Sequence, residues 1–169
     1  MPINNDYTVK RIPPSDADLY KELRLEGLKD TPEAFGASYR DESTNARSYY
    51  YTLLENHDVF GVYRNTDTLV GIAALALSPK EKLKHKGTLW GMYIKPEARG
   101  NGLAKQLVLQ IIKIAKETTE EILLTVVASN VSAITLYKKL GFIEYGTEPR
   151  ALKIKDRYYD EVLMRLPLT

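Results

Sequence analysis

The sequence predicts one mixed α/β domain, and three observations lead to this. Its 169 residues match the length of a single domain, for which about 100–200 residues is usual. Hydrophobic residues make up 44% and charged residues 27% of the chain, which is a globular rather than a disordered composition. Short apolar runs typical of strands alternate with stripes of helical spacing along the chain. We therefore expect a single domain over residues 1–169.

The first part of the chain predicts a strand followed by two helices. Residues Tyr7–Arg11 alternate weakly, as a short strand does. Ser15 is a candidate N-cap for a helix over Asp16–Lys29. This helix should end before Pro32, because the residue preceding a proline avoids helical geometry. A second helix, rich in tyrosine, is expected over Glu42–Asn56.

The middle of the chain predicts a hairpin, a further strand and an amphipathic helix. Two apolar runs, Val59–Tyr63 and Thr68–Ser78, flank a short polar turn and read as a hairpin. A charged connection, Pro79–Lys86, leads to a strand over Thr88–Ile94. Leucines and isoleucines at intervals of three and four predict a helix over Gly102–Glu117.

The last part predicts a buried strand, a short helix and a closing hairpin. The apolar run Ile122–Ala128 is typical of a buried strand. A helix over Ser132–Leu140 should end at Gly141, which suits a helix C-cap. The two remaining strands are expected at Phe142–Ile154 and Tyr158–Leu166.

Charge and hydropathy indicate a soluble protein without a nucleic-acid or membrane partner. The net charge is only +2, so the chain has no strong field for nucleic acid or anionic lipid. No apolar run approaches the roughly 20 residues that a membrane span needs. The first residues, up to Ile12, lack the apolar core of a signal peptide. We expect a cytoplasmic location.

The residue types that are missing exclude several kinds of chemistry. The chain has no cysteine, which excludes disulfides, thiolate metal sites and a cysteine-linked acyl intermediate. Its histidines are His57 and His85, too few for a three-histidine zinc site. No G-x-S-x-G elbow of a serine hydrolase is present. An enzyme of this composition is expected to hold no metal and to transfer a group directly between two substrates.

A glycine-rich loop between the strand ending at Ile94 and the next helix is the strongest functional motif. Two glycines at a helix start leave backbone N–H groups that suit a phosphate or pyrophosphate. The loop does not end in the Gly-Lys-Ser/Thr of a Walker A motif. A dinucleotide fingerprint would need glycine where Lys105 stands.

Two motifs in this chain together resemble the GNAT N-acetyltransferase family. Arg99-x-x-Gly102-x-Ala104 resembles the family's R/Q-x-x-G-x-G/A pyrophosphate loop. About thirty residues on, Asn130-x-x-Ala133-x-x-Leu136-Tyr137-x-x-x-Gly141-Phe142 resembles its second signature. The resemblance implies a GNAT fold, with a mixed, mostly antiparallel sheet, splayed fourth and fifth strands and about four flanking helices.

The resemblance also implies a binding site for acetyl-CoA as cosubstrate. Main-chain groups of Met92, Tyr93 and Ile94 would pair with the pantetheine arm. The pyrophosphate would bind the loop formed by Arg99, Gly100, Asn101, Gly102, Leu103, Ala104 and Lys105. Asn130 would either bond the pantetheine or cap the following helix, and the sequence leaves both roles open.

Tyr137 is the candidate catalytic residue. Its helix face, shared with Ala133, Leu136 and Leu140, would by itself indicate a core tyrosine. Its place in the second signature instead implies the general acid that protonates the departing CoA thiolate. A phenol of pKa about 10 can protonate a thiolate whose conjugate acid has a pKa of about 8.5, because this proton transfer is only slightly unfavourable.

The general base and the acceptor are not assigned by the sequence. Thr88 and Thr125 stand roughly where some family members carry a strand glutamate, and neither can serve as a base. The substitutes considered are Glu26, Glu33, Glu42, Tyr39 and His85, or a water chain. The run Lys80–Lys86 is expected to be a solvated connection rather than a phosphate-binding patch.

The sequence thus predicts an acyltransferase that moves acetyl from acetyl-CoA directly to a primary amine of a small molecule or peptide. Its expected partners are acetyl-CoA and this amine acceptor, and a homodimer is left open. The alternative is a non-catalytic acyl-CoA-binding or sensing module, in which Tyr137 is a core residue.

Overall fold

The computed structural model describes residues 6–169, and its elements follow the predicted order. They are β1 (Tyr7–Arg11), α1 (Ala17–Asp30), α2 (Tyr39–Glu42), α3 (Arg47–Asn56), β2 (Asp58–Arg64), β3 (Thr68–Leu77), β4 (Lys86–Ile94), α4 (Leu103–Thr118), β5 (Glu121–Val127), α5 (Val131–Lys139), β6 (Ile143–Ile154) and β7 (Arg157–Pro167). Short 3-10 turns lie at Pro14–Asp16, Pro32–Ala34 and Pro96–Ala98. The predicted α/β class is confirmed, with five α-helices in the described residues rather than about four.

The predicted N-cap residue of the first helix, Ser15, is wrong. Ser15 does not cap α1, because the chain first forms the 3-10 turn Pro14–Asp16. Asp16 therefore occupies the N-cap position, and its side chain makes no capping hydrogen bond. The Asp16 carboxylate instead accepts the hydroxyl of Tyr63 at 2.6 Å, which ties the start of α1 to the sheet.

The helix expected over Glu42–Asn56 is confirmed only over Arg47–Asn56, which is α3, because Glu42 is the last residue of the separate helix α2. Ser38 begins α2 by accepting the main-chain N–H of Asp41 at 3.1 Å. The chain is extended again at Ala46, immediately before α3. Ser38 was not among the predicted helix starts, although serine is a preferred N-cap residue.

One seven-stranded sheet has the strand order β1-β2-β3-β4-β5-β7-β6. Neighbouring strands are antiparallel except β4 and β5, which run parallel. These two strands pair only over Lys86–Thr88 and Glu121–Leu123. Beyond Thr88 they separate, which is the predicted splay of the fourth and fifth strands.

A β-bulge in β4 accompanies this separation. Tyr93 lies opposite Ile72 and Trp90 lies opposite Ala74, so two residues of β4 share one partner on β3. One of the two is Gly91, whose φ of +68° is in the left-handed region that favours glycine. Because a bulge bends its strand and increases the local twist, Gly91 turns the end of β4 away from β5.

Apolar side chains pack on both faces of the sheet. On one face α4 packs its buried stripe, which includes Leu107 and Ile111, against the strands. On the other face α1 and α3 cover β2, β3 and β4 with residues such as Tyr20 and Leu54. The helices thus leave β5, β7 and β6 less covered on the α1 side. Within residues 6–169, no helix has both the length and the apolar character needed to cross a membrane.

Candidate active site

The separation of β4 from β5 opens a cleft of about 650 Å³ that reaches the start of α4 and α5. Small-molecule sites typically have volumes of about 300–1,000 Å³. All but one of the site residues predicted from the sequence line it, namely Met92, Tyr93, Ile94, Arg99, Gly100, Gly102, Leu103, Ala104, Lys105, Asn130 and Tyr137. Residues from two distant motifs therefore meet in one cleft.

A narrower pocket of about 90 Å³ continues this cleft between the two separated strands. Its walls are Leu89, Trp90, Gly91 and Met92 on β4 and Leu124, Thr125, Val126 and Val127 on β5. Met92, Asn130 and Tyr137 line both spaces, so they mark where the two join. We call this narrower part the inner pocket.

The end of β4 presents main chain to the cleft. Pairing with β3 continues to Ile94, whereas pairing with β5 stops at Thr88. Among the described residues, 6–169, the main-chain groups that point towards β5 beyond Thr88 have no strand partner. The Tyr93 side chain turns towards α1 and donates its hydroxyl to Asp30 at 3.0 Å. A ligand in the cleft would therefore meet the main chain of this segment.

The loop before α4 has the geometry of an anion site. Gly100 and Gly102 adopt φ values of +82° and +72°, and Gly102 is the N-cap residue of α4. The first helical hydrogen bond runs from Gln106 N to the Gly102 carbonyl. The preceding N–H groups of Leu103–Lys105 are left for a ligand, and the helix dipole adds positive charge there.

Arg99 and Asn101 both stabilise this loop. Arg99 donates from Nε to the Ile94 carbonyl at 2.9 Å, and its guanidinium lies 3.6 Å from the Asp30 carboxylate. Asn101, the predicted residue that does not line the cleft, donates its amide to the Ala98 carbonyl at 2.9 Å. The Asn101 side chain therefore orders the loop from within.

Asn130 has the capping role that the sequence left open. Its side-chain oxygen accepts the main-chain N–H of Ala133 and the hydroxyl of Ser132, each at 3.2 Å. Asn130 is thus the N-cap residue of α5, and Ser132 supports the cap by its hydrogen bond to Asn130. The cap uses the amide oxygen, so the Nδ2 donors stay available on a side chain that lines the cleft.

Tyr137 lies at the junction of the cleft and the inner pocket. It is 6% exposed and packs edge-on against Phe142, with ring centroids 5.6 Å apart. Burial raises the pKa of Tyr137 to about 12. The phenol is therefore protonated throughout the neutral range, as a general acid must be.

The inner pocket also contains features that the sequence analysis missed. Gly91 provides the bulge, and an isolated glycine within a strand is the signal that could have found it. The Trp90 indole N–H is buried without an acceptor among residues 6–169. Behind Trp90 lies Arg24, whose guanidinium is 5.4 Å from the indole ring and forms a two-point ion pair with Glu42. No local sequence pattern predicts this ion pair between residues of two helices.

The substitute bases considered from the sequence lie in different places. Glu33 lines the cleft. Glu26 is 3.3 Å from Lys95, and Glu42 is held by Arg24. Tyr39 is exposed beneath Lys29. His85 precedes β4, at the end of that strand opposite the glycine loop, within the largely exposed connection that contains Lys80–Lys86.

Comparison with known protein families gives a match over most of the chain. Residues 20–142 match the model described as the acetyltransferase (GNAT) family. The chain belongs to the GNAT acetyltransferase family. This confirms the resemblance seen in the two motifs of the sequence.

Curated GNAT relatives match part of the chain. N-alpha-acetyltransferase 30 of Saccharomyces cerevisiae is 30% identical over 59% of this chain and 56% of its own length. An uncharacterised N-acetyltransferase of Methanocaldococcus jannaschii is 29% identical over 82% of this chain and 61% of its own. The [ribosomal protein bS18]-alanine N-acetyltransferase of Escherichia coli is 29% identical over 58% and 66%. The chain thus spans less than two thirds of these relatives.

Solved GNAT structures match the whole fold. A GNAT acetyltransferase from Streptococcus pneumoniae superposes with a TM-score of 0.87 at 20% identity, over 96% of this chain and 99% of that chain. The yncA protein of Salmonella typhimurium, solved with its cofactor acetyl-CoA, gives 0.85 at 19% identity, over 98% and 95%. At these identities the likeness concerns the fold alone.

Proposed function

We propose that this protein transfers an acetyl group from acetyl-CoA directly to a primary amine of a small molecule or peptide. The observation that carries the proposal is the single cleft that joins the anion-binding loop before α4 to Tyr137. Family membership and the acetyl-CoA in the Salmonella neighbour support it. Acetyl-CoA is the cosubstrate, and we propose no metal.

Different residues of the cleft would bind different parts of acetyl-CoA. The free N–H groups at the start of α4, with Gly100 and Gly102, suit the pyrophosphate. Main-chain groups of residues 92–94 would pair with the pantetheine arm, joined by the Nδ2 donors of Asn130. The thioester would then lie at the entrance of the inner pocket, beside Tyr137. A thioester supplies an activated acetyl group and a sulfur leaving group.

Tyr137 would donate its hydroxyl proton to the departing sulfur. Its pKa of about 12 makes this transfer more uphill than for an exposed phenol. The same burial would also raise the basicity of a thiolate formed beside it. The difference between donor and acceptor is therefore smaller in the pocket than the tyrosine shift alone indicates.

We propose a peptide N-terminal amine as the first acceptor to examine. Two relatives are named for α-amino or alanine acetylation, the yeast N-alpha-acetyltransferase 30 and the Escherichia coli bS18 enzyme. The weakly covered face of β5, β7 and β6 beside the inner pocket leaves room for such a substrate. A cytoplasmic location stays a prediction, to be checked by fractionation, and the oligomeric state, which the sequence left open, can be measured by light scattering.

The direct test is an acetyl-CoA consumption screen over pentapeptides with free N-terminal alanine or methionine, free amino acids and polyamines. Turnover of a member of the panel, with intersecting initial-rate patterns, is the expected result for transfer within a ternary complex. An acetyl-enzyme isolated after incubation with acetyl-CoA alone would contradict direct transfer. Acetyl-CoA binding by calorimetry without turnover of any amine would favour the sensing module instead.

A further inference from the structure

Glu161 lies beside the inner pocket, one strand away from Thr125. It stands on β7 directly opposite Val127 of β5. Residues paired across antiparallel strands point to the same face, and alternate residues along a strand share a face. The side chains of Glu161, Val127 and Thr125 therefore share one face of the sheet, and Thr125 and Val127 are among the residues that line the inner pocket.

The backbone around Glu161 is built irregularly. On its other side Glu161 pairs with Glu148 of β6, where the ladder is interrupted by a bulge. Three residues, 149–151, stand opposite Asp160 alone. Within the bulge Arg150 has a φ of +52° and donates its main-chain N–H to the Asp160 carboxylate at 2.8 Å. Such bulges re-aim side chains next to active sites.

The surroundings of Glu161 favour its taking up a proton. Burial and the negative charge of Glu148 raise the pKa of the Glu161 carboxyl, while the Thr125 hydroxyl acts in the opposite direction. Other ionisable groups on the elements around it are Asp160 and Arg150, which belong to the bulge, and Glu33 in the 3-10 turn against β5 and β6. The carboxylates of Glu26 and Glu42 are ion-paired elsewhere.

We propose that Glu161 is the catalytic residue that removes the proton from the acceptor amine. This rests on the proposed function, and it would supply the base that neither Thr88 nor Thr125 can provide. An amine bound over Thr125 would lie between this carboxylate and the thioester end of the cleft. Glu161 thereby also favours acceptors that arrive as ammonium ions.

The protons balance in this scheme. The ammonium gives one proton to the Glu161 carboxylate, which releases it to solvent. The neutral nitrogen then forms its bond to the acetyl carbon, and the carbon–sulfur bond breaks as Tyr137 protonates the sulfur. The N–H proton lost on amide formation restores the Tyr137 phenol. The net products are the amide, CoA thiol and one proton.

The test is the pH dependence of kcat/KM for Glu161→Gln, using acetyl-CoA and the best acceptor of the panel, starting with the N-terminal alanine pentapeptide. General bases contribute about 10²–10⁴-fold, so we expect a loss of about 100-fold at pH 7. The loss should shrink above the pKa of the amine, where the acceptor is already neutral. A structural role would not make the loss depend on the protonation state of the acceptor.

Two further variants sharpen this test. Glu148→Gln removes the facing negative charge, so the acid limb of the wild-type profile should move to lower pH. Glu144→Gln, at the exposed start of β6, should leave the profile unchanged. Wild-type kcat/KM for Glu161→Gln at pH 7, or an equal loss at every pH, would overturn the assignment. A wild-type protein that acetylates no amine would remove the proposed function and this inference with it.

Discussion

The guanidinium of Arg24 holds the carboxylate of Glu42 at two points, at 2.8 and 3.2 Å, and so joins α1 to α2. Both side chains are nearly buried, with exposures of 6% and 12%. Phe35 lies 5.0 Å from the same guanidinium, and Trp90 of the inner pocket lies 5.4 Å from it. The ion pair thus supports Trp90, which forms part of the wall of the inner pocket.

Glu42→Ala should destabilise the protein strongly. It leaves the Arg24 charge buried without its partner, and breaking a buried pair in this way costs about 3–5 kcal/mol. The free energy of unfolding from urea titration measures the effect. Asp18→Ala is the matched control, because its pair with Arg47 is exposed and such pairs contribute about 0–1 kcal/mol. Equal effects for the two variants would contradict this account of Arg24.

Gly91→Ala should strain the bulge that separates β4 from β5. A side chain in left-handed geometry costs about 1–2 kcal/mol, and its Cβ would lie 3.3 Å from the Arg24 guanidinium. We expect lower stability and weaker acetyl-CoA binding, measured by thermal melting and calorimetry. Gly36→Ala has open space and no positive φ, so it should change neither. Unaltered affinity in Gly91→Ala would show that the bulge does not shape the cleft.

Alanine substitution of two glycines tests whether the loop before α4 binds pyrophosphate, as we propose. Gly102 and Gly141 both have positive φ, so alanine strains the backbone at either position. Only Gly102 lines the cleft, where an added Cβ meets open space in the unliganded chain. Gly102→Ala should therefore weaken acetyl-CoA binding in calorimetric titration, and Gly141→Ala should not. Similar affinities of the two variants for acetyl-CoA would indicate that this loop is a turn without a role in binding.

Stability should fall in alkaline solution because buried tyrosines hold their protons more tightly than unfolded ones. Burial raises the pKa of Tyr137 to about 12 and that of Tyr20 further still. Their contribution is fully present below the unfolded pKa of about 10 and is lost as pH rises through the folded pKa. Urea titrations at pH 8, 10 and 11 should show a declining free energy of unfolding. A free energy of unfolding that stays constant over this pH range would contradict the raised pKa values of the buried tyrosines.

The features predicted correctly from the sequence are those that local patterns encode. The strands, the amphipathic stripe of α4 and the two motifs that meet in the cleft all have short-range signals. The N-cap predicted at Ser15 and the helix start predicted at Glu42 were wrong, because the 3-10 turn Pro14–Asp16 precedes α1 and Glu42 ends the helix that Ser38 begins. Glu161 could not be found from the sequence, since its position beside Thr125 depends on the register between β5 and β7.

The turnover number of Tyr137→Phe tests the central claim most directly. Phenylalanine keeps the buried ring and its contact with Phe142, so the fold and the affinity for acetyl-CoA should change little. An acid that acts only in the transition state lowers kcat when it is lost, and we expect a fall of at least about tenfold. Because the pKa of Tyr137 is about 12, the wild-type rate should show no basic limb from this phenol below about pH 10. A Phe variant with wild-type turnover would contradict the account and return Tyr137 to the core.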